Sequence, residues 1–302
     1  MNSKMKKILL APMNLLYTIS PKTEICLMFL LRNGYKLNLK EPATFNEKLN
    51  WMKLYYRNDY MPMCADKYAV RKYVEESGCG ELLTNLLWEG FDAKDIPFND
   101  LPDKFVIKVT HGAGNNIICK SKSELNISKT ISTLNKWLKE KYLPAYGEWF
   151  YGIEKPRIIV EEFLSPDGAT LPKDYKLYCF NNIDGDHGVG MTAIYQGRYT
   201  DKFNKTIFNS KWEKISDVVF GENINTSNLI VKPTEYDKLV DYALKLAKPF
   251  PHARVDFYII NNKIYFSEIT FMTGAGYNKI SPRSFDEKLG SWIRIENEGE
   301  LY

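Results

Sequence analysis

One stretch of the sequence, residues 253–270, combines the pattern of a β-hairpin with charges that a hairpin rarely carries. Residues 253–260 and 263–270 are rich in β-branched and aromatic side chains, which favour strands. The intervening Asn261 and Asn262 predict a tight turn, since asparagine is common in turns. The stretch therefore predicts two strands that fold back on each other.

Four of the polar residues inside these two predicted strands share faces in pairs. Arg254 and Asp256 occupy one face of the first strand, because alternate residues of a strand point to the same side. Glu268 and Thr270 occupy one face of the second strand for the same reason. The turn can bring Asp256 and Glu268 side by side. Because two like charges facing each other destabilise a sheet, the pattern indicates a site for metal and phosphate rather than a solvated surface.

The composition is that of an ordinary globular protein. The 302 residues are 44% hydrophobic and 26% charged, enough for one large domain or two to three small ones. A net charge of only +4 does not indicate nucleic-acid binding, although it suits an acidic substrate. The five cysteines are scattered and form no C-x-x-C pair, so they favour a reducing compartment over disulfides or zinc.

The first 33 residues predict one or two helices that Ser20-Pro21 separates, because proline suits the first position of a helix. Three lysines precede an apolar run at residues 8–10, and a second apolar run follows at 25–31. Both runs are shorter than the roughly 20 residues that a membrane-spanning helix needs. Helices packed on the protein body are the favoured interpretation, and an amphipathic segment resting on a membrane surface is the alternative.

Capping signals predict further helices. Thr44, with Glu47 three residues later, forms a capping box that opens a helix. Asp66 is a good N-cap for the next helix. Two more helices are expected over residues 128–141 and 234–247, the second with Thr234 as its cap.

A strand–loop–strand pattern lies between residues 105 and 119. The strand at 105–110 carries Lys108, and a second strand follows at 117–119. The loop between them contains His111, Gly112, Gly114 and Asn115. Such a loop exposes backbone N–H groups that can form a concave anion site. It is not a P-loop, which has a different glycine–lysine spacing and leads into a helix.

Two more predicted strands carry charges. Residues 157–164 predict a buried strand with Glu161 and Glu162 near its end. Residues 174–180 predict a strand in which side chains point alternately to opposite faces. Lys176 then shares one face with Asp174 and Tyr178.

The chain between residues 181 and 231 predicts one strand at 189–195 and an irregular polar region at 201–231. The hairpin loop before that strand contains Asp184-Gly185-Asp186, which matches in letters the D-x-D motif of metal-dependent glycosyltransferases. A chance match in a polar loop is the favoured explanation.

The order of these features resembles the ATP-grasp superfamily, and within it the TupA-like branch associated with teichuronopeptide and capsular polysaccharide synthesis. The phrases that carry the resemblance are PATFNEKL at 42–49, DKYAVR at 66–71, KFVIK at 104–108, DYKLYCF at 174–180 and RVDFY at 254–258. The resemblance implies an α+β fold, in which two lobes clasp a nucleotide, with an N-terminal helical extension.

The resemblance also suggests three regions. Residues 1–100 would form the N-terminal helical region and a substrate-side subdomain. Residues 101–163 would form the small ATP-grasp lobe with its glycine-rich lid, and residues 164–302 the C-terminal lobe with the metal site.

For the nucleotide ATP, the resemblance implies the following contacts. Lys108 would contact the phosphates, Lys67 would be a second lysine that reaches them, and the loop 111–116 would close over them. The carboxylate of Glu161 or Glu162 would meet the adenine and ribose region, with a slight preference for Glu161.

For metal and catalysis, the resemblance implies that Asp256 and Glu268 bind Mg²⁺, with Thr270 as a further oxygen ligand. Many family members have Asn at the position of Thr270, so this chain departs from the pattern there. Arg254 would lie near the transferred phosphoryl group, and Lys176 would assist it. Mg²⁺ prefers one or two carboxylates together with phosphate oxygens, which agrees with these assignments.

The implied activity is that of an ATP-dependent carboxylate–amine ligase. It would activate a small or glycan-linked carboxylate, such as a uronic acid, as an acyl phosphate, and an amine or amino acid would then form the amide. It would act in the cytoplasm or at the inner face of the membrane. Two alternatives stay open: a glycosyltransferase or sugar kinase of a capsule locus, and a non-catalytic nucleotide-binding protein, which the departure at Thr270 would suit.

Overall fold

The computed structural model describes residues 3–112, 114–198, 200–221 and 230–295. These residues have the predicted α+β architecture. Their α-helices are α1 (Ser3–Ile19), α2 (Pro21–Asn33), α3 (Phe45–Tyr55), α4 (Tyr60–Ala65), α5 (Val70–Glu76), α6 (Ile127–Leu138), α7 (Tyr236–Ala247) and α8 (Arg283–Ser291).

The strands form two main antiparallel sheets. In chain order they are β1 (Leu86–Gly90), β2 (Phe105–Val109), β3 (Asn116–Cys119), β4 (Ile158–Glu162), β5 (Asp174–Ile183), β6 (Asp186–Gln196), β7 (Asn204–Asn209), β8 (Val219–Phe220), β9 (His252–Ile260), β10 (Lys263–Thr270) and β11 (Ile280–Ser281). The small sheet has the order β1-β4-β2-β3, and the large sheet has the order β10-β9-β5-β6-β7. Strands β8 and β11 pair separately.

Each sheet has its own hydrophobic core. Helices α3, α5 and α7 pack on the large sheet, whose core includes the fully buried Phe45, Tyr178 and Phe257. Helix α6 packs on the small sheet through the fully buried Leu134. The two sheets therefore form separate layers, and a cleft lies where they face each other.

The N-terminal helices pack on the protein body, as favoured from the sequence. The Ser20 hydroxyl accepts a hydrogen bond from the Thr23 N–H, Pro21 occupies the first turn of α2, and Gly34 ends α2 in the left-handed region with φ 79°. Leu10 and Met28 are buried together against the segment around Ala145. Among the helices that the structure describes, none combines the length and apolar character needed to cross a bilayer.

The predicted start of α3 is confirmed. The Thr44 hydroxyl accepts from the Glu47 N–H, and the Glu47 carboxylate accepts from the Thr44 N–H. The carboxylate of Asp66 accepts from the N–H groups of Tyr68 and Ala69, so it caps a turn that leads into α5 at Val70.

The prediction that Thr234 caps α7 is wrong. The helix begins at Tyr236, and the preceding Glu235 makes no side-chain cap. The Thr234 hydroxyl instead donates to the Glu235 carboxylate at 2.8 Å.

The prediction of an irregular region at 201–231 is also wrong for part of its length. Strand β7 pairs with β6, and most of its residues are buried. Its polar side chains find partners inside the protein, as when the Lys205 ammonium donates to the Phe220 carbonyl, so polarity did not indicate exposure. Residues 222–229 lie outside the described residues.

Strand β1 and helix α8 are among the elements that were not predicted. Strand β1 pairs with β4 in the small sheet, although its residues fall in the range 1–100 assigned to the N-terminal region. Helix α8 packs on α3. The division of the chain at residues 100 and 163 stays a prediction.

Candidate active site

The predicted hairpin forms from β9 and β10, and one extra residue sets its register. Next to the turn, Ile260 pairs with Lys263. A regular ladder from this pair would place Asp256 opposite Ser267. A β-bulge between Phe266 and Glu268 shifts the ladder, so that Glu268 pairs with Asp256. The bulge thus brings the two carboxylates side by side.

Two rows of polar residues cross the large sheet at this point. The rows run over β5, β9 and β10, and they are Lys176, Asp256 and Glu268 in the first, and Tyr178, Arg254 and Thr270 in the second. Residues two apart on a strand share a face. All six side chains therefore belong to one face of the sheet.

Ion pairs join the two rows. Arg254 holds Asp256 with two hydrogen bonds of 2.7 Å, from Nε to Oδ1 and from Nη2 to Oδ2. Its Nη2 also donates to Glu268 Oε1 at 2.8 Å. The Lys176 ammonium donates to the second oxygen of Asp256. Asp256 is fully buried, whereas the Glu268 side chain is 41% exposed, so Glu268 is the carboxylate that reaches the cleft.

These charges shift one another's pKa values. Burial alone would raise the pKa of Glu268, but Lys176, Arg254 and Lys67 outweigh it and hold that pKa below its usual value. Burial raises the pKa of Asp256, and Arg254 and Lys176 oppose that shift. Glu268 is therefore ionised at neutral pH and available as an oxygen ligand.

The small sheet carries a second cluster of charged side chains. The Lys108 ammonium lies 2.6 Å from Glu161 Oε2, and Glu161 is only 6% exposed. The other oxygen of Glu161 accepts from the Thr84 hydroxyl at 2.6 Å and from Arg71 at 3.4 Å. Burial raises the pKa of Glu161, but Lys108 and the other partners outweigh it and bring that pKa below its usual value. Glu161 thus fixes the position of Lys108.

Glu162, the neighbour of Glu161, points elsewhere. Its Oε1 accepts from the backbone N–H of Asn85 at 2.9 Å. Which of the two glutamates would face an adenosine stays a prediction.

Lys67 is held against the loop after β2. Its ammonium donates to the Gly112 carbonyl at 2.6 Å, and its own N–H donates to the Thr110 carbonyl at 3.2 Å. Burial lowers the pKa of Lys67, and Lys108 lowers it further, while Glu268 raises it. Lys67 therefore lies in the field of charged groups from both sheets.

The loop after β2 is held in place by His111. Its Nε2 lies 2.7 Å from the Glu140 carbonyl, which ties the loop to the segment after α6. Gly112 and Gly114 have φ values of 74° and 81°, in the left-handed region that favours glycine. Ala113 lies outside the described residues, and the role of the loop as a lid stays a prediction.

Two adjoining cavities collect most of the predicted residues. The first is lined by residues that include Lys108, Glu161, Glu162, Asp174, Arg198 and Tyr258. The second is lined by residues that include His111, Gly112, Asn115, Arg254, Glu268 and Thr270. Both include Lys67 and Ser267 in their walls. Lys176, Asp256 and Gly114 line neither cavity, and the first two lie buried beneath Arg254.

The hairpin residues that reach the second cavity offer Mg²⁺ two oxygen donors, Glu268 and Thr270. The carboxylate of Asp256 is fully buried and is engaged by Arg254 and Lys176, so its role as a metal ligand stays a prediction. Within the described part of the chain, no group of three His, Cys, Asp or Glu side chains gathers around a common point. A magnesium ion held here would therefore depend on Glu268, on Thr270 and on substrate oxygens.

Residues to which the sequence assigned no role complete the site. Arg71 and Thr84 hold Glu161, and Tyr142 and Glu148 line the second cavity. Thr84 carried no signal, since its partner is 77 positions away.

Comparisons with known proteins agree with this architecture. A sequence profile described as TupA-like ATPgrasp matches residues 47–294. No curated protein matches this sequence.

Several solved structures are similar at low identity. A D-alanine–D-alanine ligase from Bacillus anthracis in complex with ATP is 14% identical, with a TM-score of 0.42 over 69% of this chain and 55% of that chain. An L-amino acid ligase from Bacillus licheniformis is 12% identical, with a TM-score of 0.47 over 76% and 49%. An N5-carboxyaminoimidazole ribonucleotide synthetase in complex with ADP is 12% identical, with a TM-score of 0.43 over 69% and 45%.

The chain spans about half the length of these three proteins. The profile match, in contrast, extends over most of the chain. This protein therefore belongs to the TupA-like ATP-grasp family.

Proposed function

We propose that this protein is an ATP-dependent ligase that joins a carboxylate to an amine through an acyl phosphate. The observation that carries the proposal is the meeting of the two cavities at Lys67, with Lys108 on one side and Arg254 on the other. Phosphoryl transfer requires positioned positive charge more than covalent chemistry. Membership of the ATP-grasp family supports ATP as the phosphoryl donor.

Each charged residue has a task in this proposal. Lys108 and Lys67 bind phosphate oxygens, and Glu161 keeps the Lys108 ammonium in place. Arg254, which Asp256 holds through two hydrogen bonds, faces the second cavity and orients the group that receives the phosphoryl. Glu268, which reaches the second cavity, would hold Mg²⁺, and the ion would neutralise part of the phosphate charge.

The proposed reaction has two steps. The carboxylate oxygen attacks the γ-phosphorus of ATP, the bond to the β-phosphate oxygen breaks, and ADP leaves. The amine then attacks the carbonyl carbon of the acyl phosphate, loses a proton, and expels inorganic phosphate as the amide forms. The products are one amide, one ADP and one phosphate for each turnover.

The second cavity supports a saccharide substrate. It is lined by three tyrosines, Tyr142, Tyr146 and Tyr151, and by the carboxylate of Glu148. The rings of Tyr142 and Tyr151 stack with centroids 4.7 Å apart. Aromatic side chains offer apolar faces together with polar hydroxyls, which suits a sugar ring.

We infer that the carboxylate belongs to a uronic acid of a cell-surface or capsular polysaccharide precursor, and that an amino acid or amine is the nucleophile. The resemblance to the TupA-like branch supports this choice. The five cysteines, all free thiols, support action in the reducing cytoplasm, where ATP is available.

ATP binding gives the first test. Isothermal titration calorimetry with Mg²⁺ and ATP should show binding to the wild type and an affinity at least roughly tenfold weaker for Lys108→Met, because a charge-assisted hydrogen bond contributes about 1.5–3 kcal/mol. Lys120→Met, at an exposed lysine just after β3, is the matched control and should bind as the wild type does. Equal affinity of the wild type and Lys108→Met would refute the assignment of Lys108.

Turnover gives the second test. A panel of uronic acids combined with amino acids should contain a pair that releases ADP and phosphate and yields an amide, detected by mass spectrometry. Release of AMP would contradict the acyl-phosphate route. A phosphorylated sugar with no amide would indicate a sugar kinase instead.

A further inference from the structure

The N-terminal helices expose far more apolar surface than the rest of the chain. Eight large hydrophobic residues of α1 and α2 are exposed: Met5, Ile8, Leu9, Leu15, Ile19, Leu27, Leu30 and Leu31. The remaining described residues contain only five others, and these are scattered between Tyr60 and Val231. Monomeric soluble proteins rarely expose contiguous apolar patches of this kind without a function. We name these eight residues the α1–α2 surface.

The large apolar residues that α1 exposes lie on one stripe of the helix. Residues 5, 8, 9, 12, 15 and 19 are all exposed, and they are separated by three or four positions, apart from the neighbours 8 and 9. This spacing places them on one side of an α-helix. The outward side of α1 is thus apolar along its length.

The opposite side of α1 is fixed to the protein. Leu10 is 7% exposed and packs with Met28 and Ala145. Asn14 accepts a hydrogen bond from the Ala145 N–H at 2.9 Å. These contacts show that α1 is already packed on the protein through its other side. Its apolar outer side is therefore exposed in the packed helix.

The charge of α2 and of the segment that follows it, up to residue 40, is one-sided. Glu24 is the single acidic residue among residues 21–40, and the four basic residues there are all exposed: Lys22, Arg32, Lys36 and Lys40. Glu24 is fully buried in α2 and so adds no negative charge to the surface. An apolar stripe with basic residues around it suits a bilayer with anionic headgroups, where the apolar side chains enter the lipid and the cations stay at the headgroups.

We propose that the α1–α2 surface binds the surface of an anionic membrane, with α1 lying in the plane of the bilayer. A second copy of the chain fits the surface less well, because pairing two such surfaces would bring two sets of lysines together. This inference concerns a surface separate from both cavities, since none of its eight residues lines them. It therefore holds or fails independently of the ligase reaction.

Flotation with lipid vesicles tests the proposal. The full chain should float with vesicles of phosphatidylcholine containing roughly 30% phosphatidylglycerol, and much less with phosphatidylcholine alone, since anionic lipid attracts basic segments. The double variant Leu9→Asp/Leu15→Asp should lose roughly tenfold or more of its binding, because the aspartates cannot enter the lipid as the leucines do. Both leucines are more than 60% exposed, so the fold should persist, which circular dichroism and ATP affinity would verify.

The double variant Ile153→Asp/Val231→Asp is the matched control, because both residues are exposed and apolar but lie outside α1 and α2. It should float as the wild type does. Equal loss in both variants, or no flotation of the wild type, would overturn the proposal. A dimer in light scattering that Leu9→Asp/Leu15→Asp converts to a monomer, without vesicle binding by the wild type, would assign the surface to a second copy and also overturn it.

Discussion

Glu24 is a buried carboxylate whose removal should stabilise the protein in a pH-dependent way. The residue is fully buried in α2, and neither of its oxygens has a hydrogen-bond partner among the described residues. Burial raises its pKa from 4.5 to about 7, and the nearby Lys53 opposes the shift only in part. The ammonium of Lys53 is occupied by Asn50 and by the Ala275 carbonyl. Glu24 therefore enters the folded state most easily in its neutral form.

The sign and the size of the effect follow from these pKa values. The folded protein holds the Glu24 proton more tightly than the unfolded chain does, so this contribution to stability is complete below about pH 4.5 and is lost as the pH rises to about 7. The difference between the two pKa values corresponds to about 3 kcal/mol. Glu24→Gln removes the titration, so its stability relative to the wild type should rise from about 1 kcal/mol at pH 5 to about 3 kcal/mol at pH 8.

Urea unfolding followed by circular dichroism at pH 5 and pH 8 measures this difference. Glu41→Gln, at an exposed glutamate in the same part of the chain, is the control and should show no such change. A Glu24→Gln difference that is equal at the two pH values would refute the reasoning, because it would mean that Glu24 titrates alike in the folded and unfolded states.

Two further substitutions test the packing that supports the site. Thr84→Val removes the 2.6 Å hydrogen bond to Glu161 and should weaken ATP binding, measured by calorimetry, by roughly five- to tenfold, since such a bond contributes about 1–1.5 kcal/mol. Gly290→Ala should lower the free energy of unfolding by about 1–3 kcal/mol in thermal melts, because its Cβ would lie 2.1 Å from the Ala43 carbonyl oxygen. Gly80→Ala, whose Cβ meets no atom closer than 3.4 Å, should cost less, and equal losses would contradict the packing argument.

The parts of the fold that could be predicted depend on short-range interactions. Thr44 and Glu47 form their capping box within a single turn of helix, so the sequence contains both partners. The break at Pro21 and the β2-loop-β3 ribbon are likewise decided by neighbouring residues. Family resemblance added the order of the charged motifs, which local patterns alone do not supply.

The parts that could not be predicted depend on distant partners. Strand β7 contains Lys205, which is buried and donates a hydrogen bond to the Phe220 carbonyl. The polar composition of β7 suggested that the strand is exposed to solvent. The tertiary structure instead places the Phe220 carbonyl where it can accept the hydrogen bond of the buried lysine. Thr84 and Glu161 likewise form a hydrogen bond although they are 77 positions apart in the sequence. The residues next to each of them do not indicate this pairing.

The hairpin of β9 and β10 depends on both short-range interactions and distant partners. Strand composition and the turn at Asn261 and Asn262 are local, and they predicted the two strands correctly. The regular register that this turn imposes would put Ser267 opposite Asp256 and turn Glu268 to the other face. With the bulge, Glu268 lies on the face where it accepts a hydrogen bond from Arg254. Arg254 also donates to Asp256, which pairs with Lys176 on β5. The register of the proposed metal site is thus set by an ion-pair network that extends over three strands, and the sequence of the hairpin alone does not contain it.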